Sequence, residues 1–169
     1  MILQIIKNPN SILRAKAKDL LKENIVADET QRLILDMIET MREKEGIGLA
    51  APQVNKSLRI ICIDTIKNDS RGSITEDILP QLNCTHGERA ALVLINPEIT
   101  WESMLKNYMD EGCLSVPGKN GKVKRPKAIR IKCKNIKGET VKFKATKLFA
   151  RVLQHEIDHL DGILFIDKL

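Results

Sequence analysis

TKLFARVLQHEIDHLDG, residues 146–162, reads as a helix from about Thr146 to Leu160. Leu148, Val152 and Leu153 recur at helical spacing and give it an inward face, and Gly162 stands just past its end. His155 and His159 fall at i and i+4, so both imidazoles project from one face, about 5–6 Å apart between Cβ atoms, and can reach one metal ion. Glu156 is turned from them by one residue but can still reach a water held by that metal. The plainer alternative is a surface helix with chance histidines. With only three histidines in the chain and an apolar face turning the pair inward, that alternative carries less weight.

Around this helix the chain reads as short strands. IRIKCKNIKGETVKFKA (129–145) alternates apolar and polar around a turn at Lys137-Gly138, a hairpin with Ile129, Ile131 and Cys133 on one face. LRIICID (58–64) is a buried strand, and ALVLINPEI (91–99) is another, ended by Pro97. Nearer the start, Asp28 caps a helix whose Leu33, Ile34, Met37, Ile38 and Met41 form an apolar stripe, with Gly46 as the stop. Residues 67–89 are polar and turn-rich and read as one long surface loop with a short helical turn. Separated helices among short strands, without βαβ alternation, predict an α+β fold.

The chain has 169 residues, 43% of them hydrophobic, enough for one compact domain with a real core. Disorder of the whole chain is excluded, and no apolar run reaches the ~18 residues of a membrane span. The start, MILQIIKNPN, shows neither signal-peptide nor transit-peptide character, so a cytoplasmic location is expected. The four cysteines then read as free thiols or metal ligands. Lys+Arg 28 against Asp+Glu 22 leaves +6, with a basic stretch from Lys119 to Lys147. RNA binding is one reading of that stretch and a solvated face is the other. Five aromatics in the chain weigh against base stacking, so no specific nucleic-acid recognition is expected.

Two histidines do not complete a catalytic metal site, which usually has three protein ligands and an open position. In the metzincin pattern the third His would fall at Phe165, and no Glu follows His159 to serve instead. The third ligand must come from upstream. Cys62 and Cys133 read as small buried hydrophobes, and Cys84 with His86 as an accessory pair in the polar loop. Cys113, in DEGCLS (110–115) beside Gly112, is the best candidate on local grounds, and the residues alone leave the choice open.

GIGLAAPQV (46–54), EGCLS (111–115) and QHEIDHLDG (154–162) follow one another in this order. With all three, the chain resembles the peptide deformylase family over most of its length. The resemblance implies removal of the formyl group from the N-terminal formylmethionine of newly made proteins. It also implies a single α+β domain with antiparallel sheets packed around a central metal-binding helix that carries HExxH. Carried over by motif position, Cys113, His155 and His159 hold the metal, Fe(II) with Zn, Ni or Co able to substitute. Glu156 is the acid/base, Gln53 and the backbone N–H of Leu114 hold the oxyanion, and Gly48 pairs its backbone with the substrate peptide. A thiolate ligand suits a redox-active transition metal.

The implied partners are nascent formyl-Met polypeptides and, transiently, the ribosome. Many bacterial members continue beyond the third motif into a helix that some use for ribosome docking, whereas this chain stops at Leu169. A hydrophobic pocket for the methionine is expected beside the metal. Leu148 and Val152, two turns and one turn before His155, form one wall and Ile47 the second, unless all three are plain core. Two other readings stand beside this one. One is a metal-dependent peptidase, separable by whether acetyl-Met peptides are cleaved as well as formyl-Met ones; the other is a non-catalytic metal or RNA-binding module.

Overall fold

The computed structural model describes residues 1–64, 78–86 and 89–169. Its helices are α1 (Lys22–Ile25), α2 (Asp28–Glu43), α3 (Leu79–Leu82) and α4 (Lys147–Leu160). The strands are β1 (Gly48–Ala50), β2 (Ile60–Asp64), β3 (Asn83–His86), β4 (Arg89–Glu102), β5 (Lys106–Gly112), β6 (Asn120–Pro126), β7 (Ala128–Lys134) and β8 (Thr140–Thr146). An antiparallel sheet runs in the order β1-β2-β4-β7-β8. β4 is its spine: one edge takes β2, and the other takes β3 in its first half and β7 in its second. β5 and β6 form a separate two-stranded sheet.

The two long helices cover opposite faces of the main sheet. From α4, Ala150, Leu153, Ile157 and Leu160 pack with Ile61, Ile63, Ile129, Ile131 and Phe143. From α2, Ile34, Met37, Ile38 and Met41 pack with Leu49, Ile60, Cys62 and Val93. Alternate residues of β2 therefore enter different cores, which is why LRIICID is apolar without alternation. On β7 and β8 burial alternates residue by residue, as the sequence pattern requires when one face meets solvent. The α+β class and the antiparallel sheets stand as expected. Among the described residues, no helix is long and apolar enough to cross a membrane.

Four local expectations give way. Asp28 is the first helical residue of α2 rather than its cap; no side chain caps this helix, and Asp28 and Glu29 instead place negative charge in its first turn. Gly46 does not reverse the chain after α2: Glu45 takes the left-handed conformation (φ 54), and the Gly46 N–H reaches back to the Met41 carbonyl at 2.9 Å. Pro97 does not end its strand. β4 runs on to Glu102 because the ladder shifts register between Ile95 and Glu98, so no pairing demands the N–H that proline lacks. In the 67–89 segment, a helical turn (α3) is present, but β3 pairs with β4 where a continuous loop was expected. The rest of that loop reading, at 67–77 and 87–88, lies outside the described residues.

Candidate active site

α4 delivers His155, Glu156 and His159 from its last two turns, and Cys113 stands just beyond the end of β5. Gly162 (φ 74) closes α4: its N–H bonds the His159 carbonyl at 3.3 Å, and a Cβ there would meet the Arg14 carbonyl oxygen at 2.6 Å. One ligand atom each from Cys113, His155 and His159 lie within 4.8 Å of one another. Cys113 Sγ is 3.2 Å from His159 Nε2, and the two imidazoles meet edge-on with centroids 4.9 Å apart. Cys62 and Cys133 are buried in the two apolar cores away from this cluster, and burial pushes the Cys133 thiol up to about 12. Cys84 and His86 stand on β3, opposite Ala91 and Arg89.

A buried carboxylate orients the cluster from behind. Glu111 Oε2 lies 3.0 Å from His155 Nδ1, which leaves Nε2 for the metal side. The same carboxylate receives Arg125 through two bonds, at 2.6 and 2.9 Å, and Arg151 at 2.6 Å. Burial alone would raise the Glu111 carboxyl, but the hydrogen bonds from Arg125 and His155 hold it well below the usual carboxylate range. Arg125 also donates to Asp158 at 2.7 Å, and Asp158 receives Lys168. In the sequence Glu111 is part of EGCLS without a role of its own, and neither arginine stands in a motif. Arg151 was within reach, since it precedes His155 by one turn on the same helix face. Arg125 was not, because nothing in its own strand singles it out.

Protonation follows from these contacts. Burial would lower His155, but hydrogen bonds with Cys113 and Glu111 raise it to about 10. His159 is lowered to about 3 by burial and by the charges of His155 and Arg125, and so stays neutral. The sulfur of Cys113 and the imidazole nitrogens of His155 and His159 are lone-pair donors that converge within 4.8 Å. The donor set of one thiol sulfur and two imidazoles therefore fits a divalent transition metal.

Glu156 is buried, and burial pushes its carboxyl up to about 7 against the charges of His155 and Arg125. Its Oε2 has no hydrogen-bond partner among the described residues. The side chain lies directly on Gly48, where a Cβ would come 2.4 Å from Oε1. Gln53, in the 3-10 turn Ala51–Val54, is held by the Ala50 N–H donating to its Oε1 at 2.9 Å. Its Nε2 thus faces Ser115 Oγ (3.2 Å) and Cys113 Sγ (3.5 Å). The N-terminal segment ties the two loops together: Ile6 donates to the Gln53 carbonyl and Asn8 to that of Ser115, each at 2.8 Å. A cavity of about 490 Å³ opens over this cluster. Gln53, Gly48 and Leu114 line it, and so do Ile47, Leu148 and Val152, none of these last three fully buried, with Val152 also packed against the α4 core.

A sequence profile of the family described as Polypeptide deformylase matches residues 2–169. The chain belongs to the peptide deformylase family. Enzymes of this family remove the N-formyl group from the N-terminal formylmethionine of new proteins, and that is this chain's reaction. The peptide deformylase of Halothermothrix orenii is 45% identical over 99% of this chain and 94% of its own length. Among solved structures, an Acinetobacter baumannii class I type b peptide deformylase superposes with TM-score 0.85 at 32% identity, covering 100% of this chain and 99% of the other. The Thermotoga maritima peptide deformylase gives 0.83 at 32% identity, covering 100% of this chain and 98% of its own. The family is metal-dependent, in keeping with the Cys113, His155 and His159 cluster.

Proposed function

We propose that Cys113, His155 and His159 hold the catalytic metal of this deformylase, with α4 as its metal-binding helix and residues 1–169 as one catalytic domain. The metal is Fe(II) in the cell, replaceable by Zn, Ni or Co, because a thiolate with two imidazoles serves all of these. Such an ion supplies Lewis-acid stabilisation of developing charge and a hydroxide nucleophile near neutral pH. Glu156 takes the proton from the attacking water and returns it to the departing amine nitrogen. Its carboxyl, raised to about 7, suits both directions of transfer near neutrality. As the formyl carbonyl becomes tetrahedral, its oxygen gathers charge. Gln53 Nε2 and the Leu114 N–H are the donors that meet it, and Gln53 needs no reorientation because the Ala50 N–H already holds its amide.

The substrate lies along β1, which ends the main sheet and lines the cavity, so that the Gly48 backbone pairs with an extended peptide. Its methionine enters the space between Ile47, Leu148 and Val152, whose apolar walls suit an unbranched, polarizable side chain. A complex of the Acinetobacter baumannii enzyme with Met-Ala-Ser supports this peptide length and sequence. The substrates are nascent polypeptides in the cytoplasm. The observation that carries the reading is the convergence of three ligand atoms within 4.8 Å in a cavity that Glu156 and Gln53 also line. The test is parallel hydrolysis of formyl-Met-Ala-Ser and acetyl-Met-Ala-Ser: turnover is expected of the formyl peptide alone. Equal rates on both would replace this reading with a general peptidase or amidase.

A further inference from the structure

We propose that the solvent face of β4, β7 and β8 binds RNA without sequence preference, gripping its backbone with a lattice of cations and stacking a base on Trp101. The register sets the lattice. Arg130 stands directly opposite Lys144, and Lys132 opposite Lys142; on β4, Trp101 is opposite Arg130 and Glu98 opposite Lys132. Arg130, Lys132, Lys142 and Lys144 are exposed, and Lys134, opposite Thr140, extends the array. Like charges directly opposite one another destabilise a sheet, and a face needed only for solubility would interleave signs. Here Glu98 is the acid within the rows, with Glu102 beside Trp101 and Glu139 in the turn. Among the described residues, no ion pair engages any of the five cations.

The aromatic component is specific. The chain has one Trp, and it stands on this face, 43% exposed, with the Arg130 guanidinium 5.3 Å and Lys144 Nζ 6.0 Å from its ring. The low aromatic count therefore does not remove a stacking platform, because this ring is displayed among the cations. A sheet face offers no helix to enter a duplex groove, whereas an exposed ring flanked by cations fits an unstacked base and its phosphates. Cations two residues apart on a strand stand about 6.8 Å apart, a row that a flexible phosphate backbone can follow. Because the substrate is a newly made protein, the single-stranded nucleic acid around it is RNA. None of these residues lines the catalytic cavity, so tethering and turnover are separable.

As the sole Trp, Trp101 is its own probe. Titration of the metal-loaded enzyme with a 12-nucleotide oligo(U) should quench its fluorescence, and log K should fall against log salt with a slope of about −3.5, at ~0.7 per phosphate contact for five contacts. Lys132→Gln with Lys142→Gln should weaken binding at least about 10-fold and flatten the slope by about 1.4, at the same ~0.7 per contact. Trp101→Leu, read by anisotropy of labelled RNA, should lose about 5-fold or more, the lower end of stacking on one aromatic. Every variant should keep wild-type turnover of formyl-Met-Ala-Ser, which also certifies folding. Absence of quenching at 50 mM salt overturns the proposal, as does wild-type RNA affinity in the lysine variant. Undiminished RNA affinity in Trp101→Leu, with heparin binding as tightly as RNA, would leave a general polyanion surface and refute base stacking.

Discussion

Gly48→Ala places one methyl group against the carboxylate of Glu156, the proposed acid/base. The new Cβ would stand 2.4 Å from Glu156 Oε1, 2.8 Å from its Cδ and 2.9 Å from its Cγ. Ordinary contact needs about 3.5 Å, so the carboxylate must retreat by roughly 1 Å. Overpacking of this kind costs about 1–3 kcal/mol, and the lower end applies because the displaced neighbour is the flexible end of one side chain. Catalysis should suffer far more. A 1 Å misplacement of a reacting group costs on the order of 100-fold, so kcat should fall about 100-fold, close to 2.7 kcal/mol of transition-state stabilisation. The three atoms nearest to that Cβ all belong to Glu156 and none is a ligand atom of Cys113, His155 or His159, so metal content should stay at the wild-type level. Initial rates on formyl-Met-Ala-Ser give kcat and KM, elemental analysis gives the metal, and thermal melting followed by far-ultraviolet circular dichroism gives the fold. A folded variant with kcat within about threefold of wild type would refute this account of Gly48, and a variant that loses its metal would place the damage in the helix instead.

Glu111→Gln leaves Arg125 and Arg151 buried without their carboxylate and loosens His155. It should destabilise the fold by about 3–5 kcal/mol in denaturant unfolding and weaken metal affinity about 10–100-fold in chelator competition. Because the folded Glu111 carboxyl sits below its ordinary value of 4.5, its stabilisation is complete above that pH and fades as pH falls below it. The Gln variant should therefore show a shallower loss of stability below pH 4.5, and an unchanged acid limb would contradict the network. Val152→Trp fills the proposed methionine pocket and should raise KM or abolish turnover at unchanged metal content; a wild-type rate in the folded variant would move the pocket elsewhere. Removal of metal with EDTA should abolish activity, and Fe(II), Co(II) or Ni(II) under reducing conditions should restore it. A rate that survives EDTA would refute the metal mechanism.

Much of this molecule was legible because its signals are local. A spacing of four residues puts His155 and His159 on one face of any helix, and alternation at 129–145 puts Ile129, Ile131 and Cys133 on one face of any strand. These periodicities belong to the backbone, so residue order is enough for the helix, the hairpin and the pairing of the two imidazoles. Burial against two different cores explains why the LRIICID run reads as a strand yet does not alternate. The errors have different sources: local bonds to the Met41 and Arg42 carbonyls put the turn on Glu45 rather than Gly46, and a register shift against the distant β7 carries β4 past Pro97.

Tertiary structure alone decided the rest. Cys62, Cys113 and Cys133 carry the same thiol, and only their surroundings distinguish them: two are sealed in apolar cores, while Cys113 meets His159 and Gln53. Glu111 became the anchor of His155 because Arg125, from another strand, and Arg151, from the helix, converge on it. Gly48 proved to be the seat of Glu156 although more than a hundred residues separate them. Such roles depend on which surfaces the fold presses together. A charge, a thiol or a missing side chain has no fixed consequence until its neighbours set its solvation and its partners.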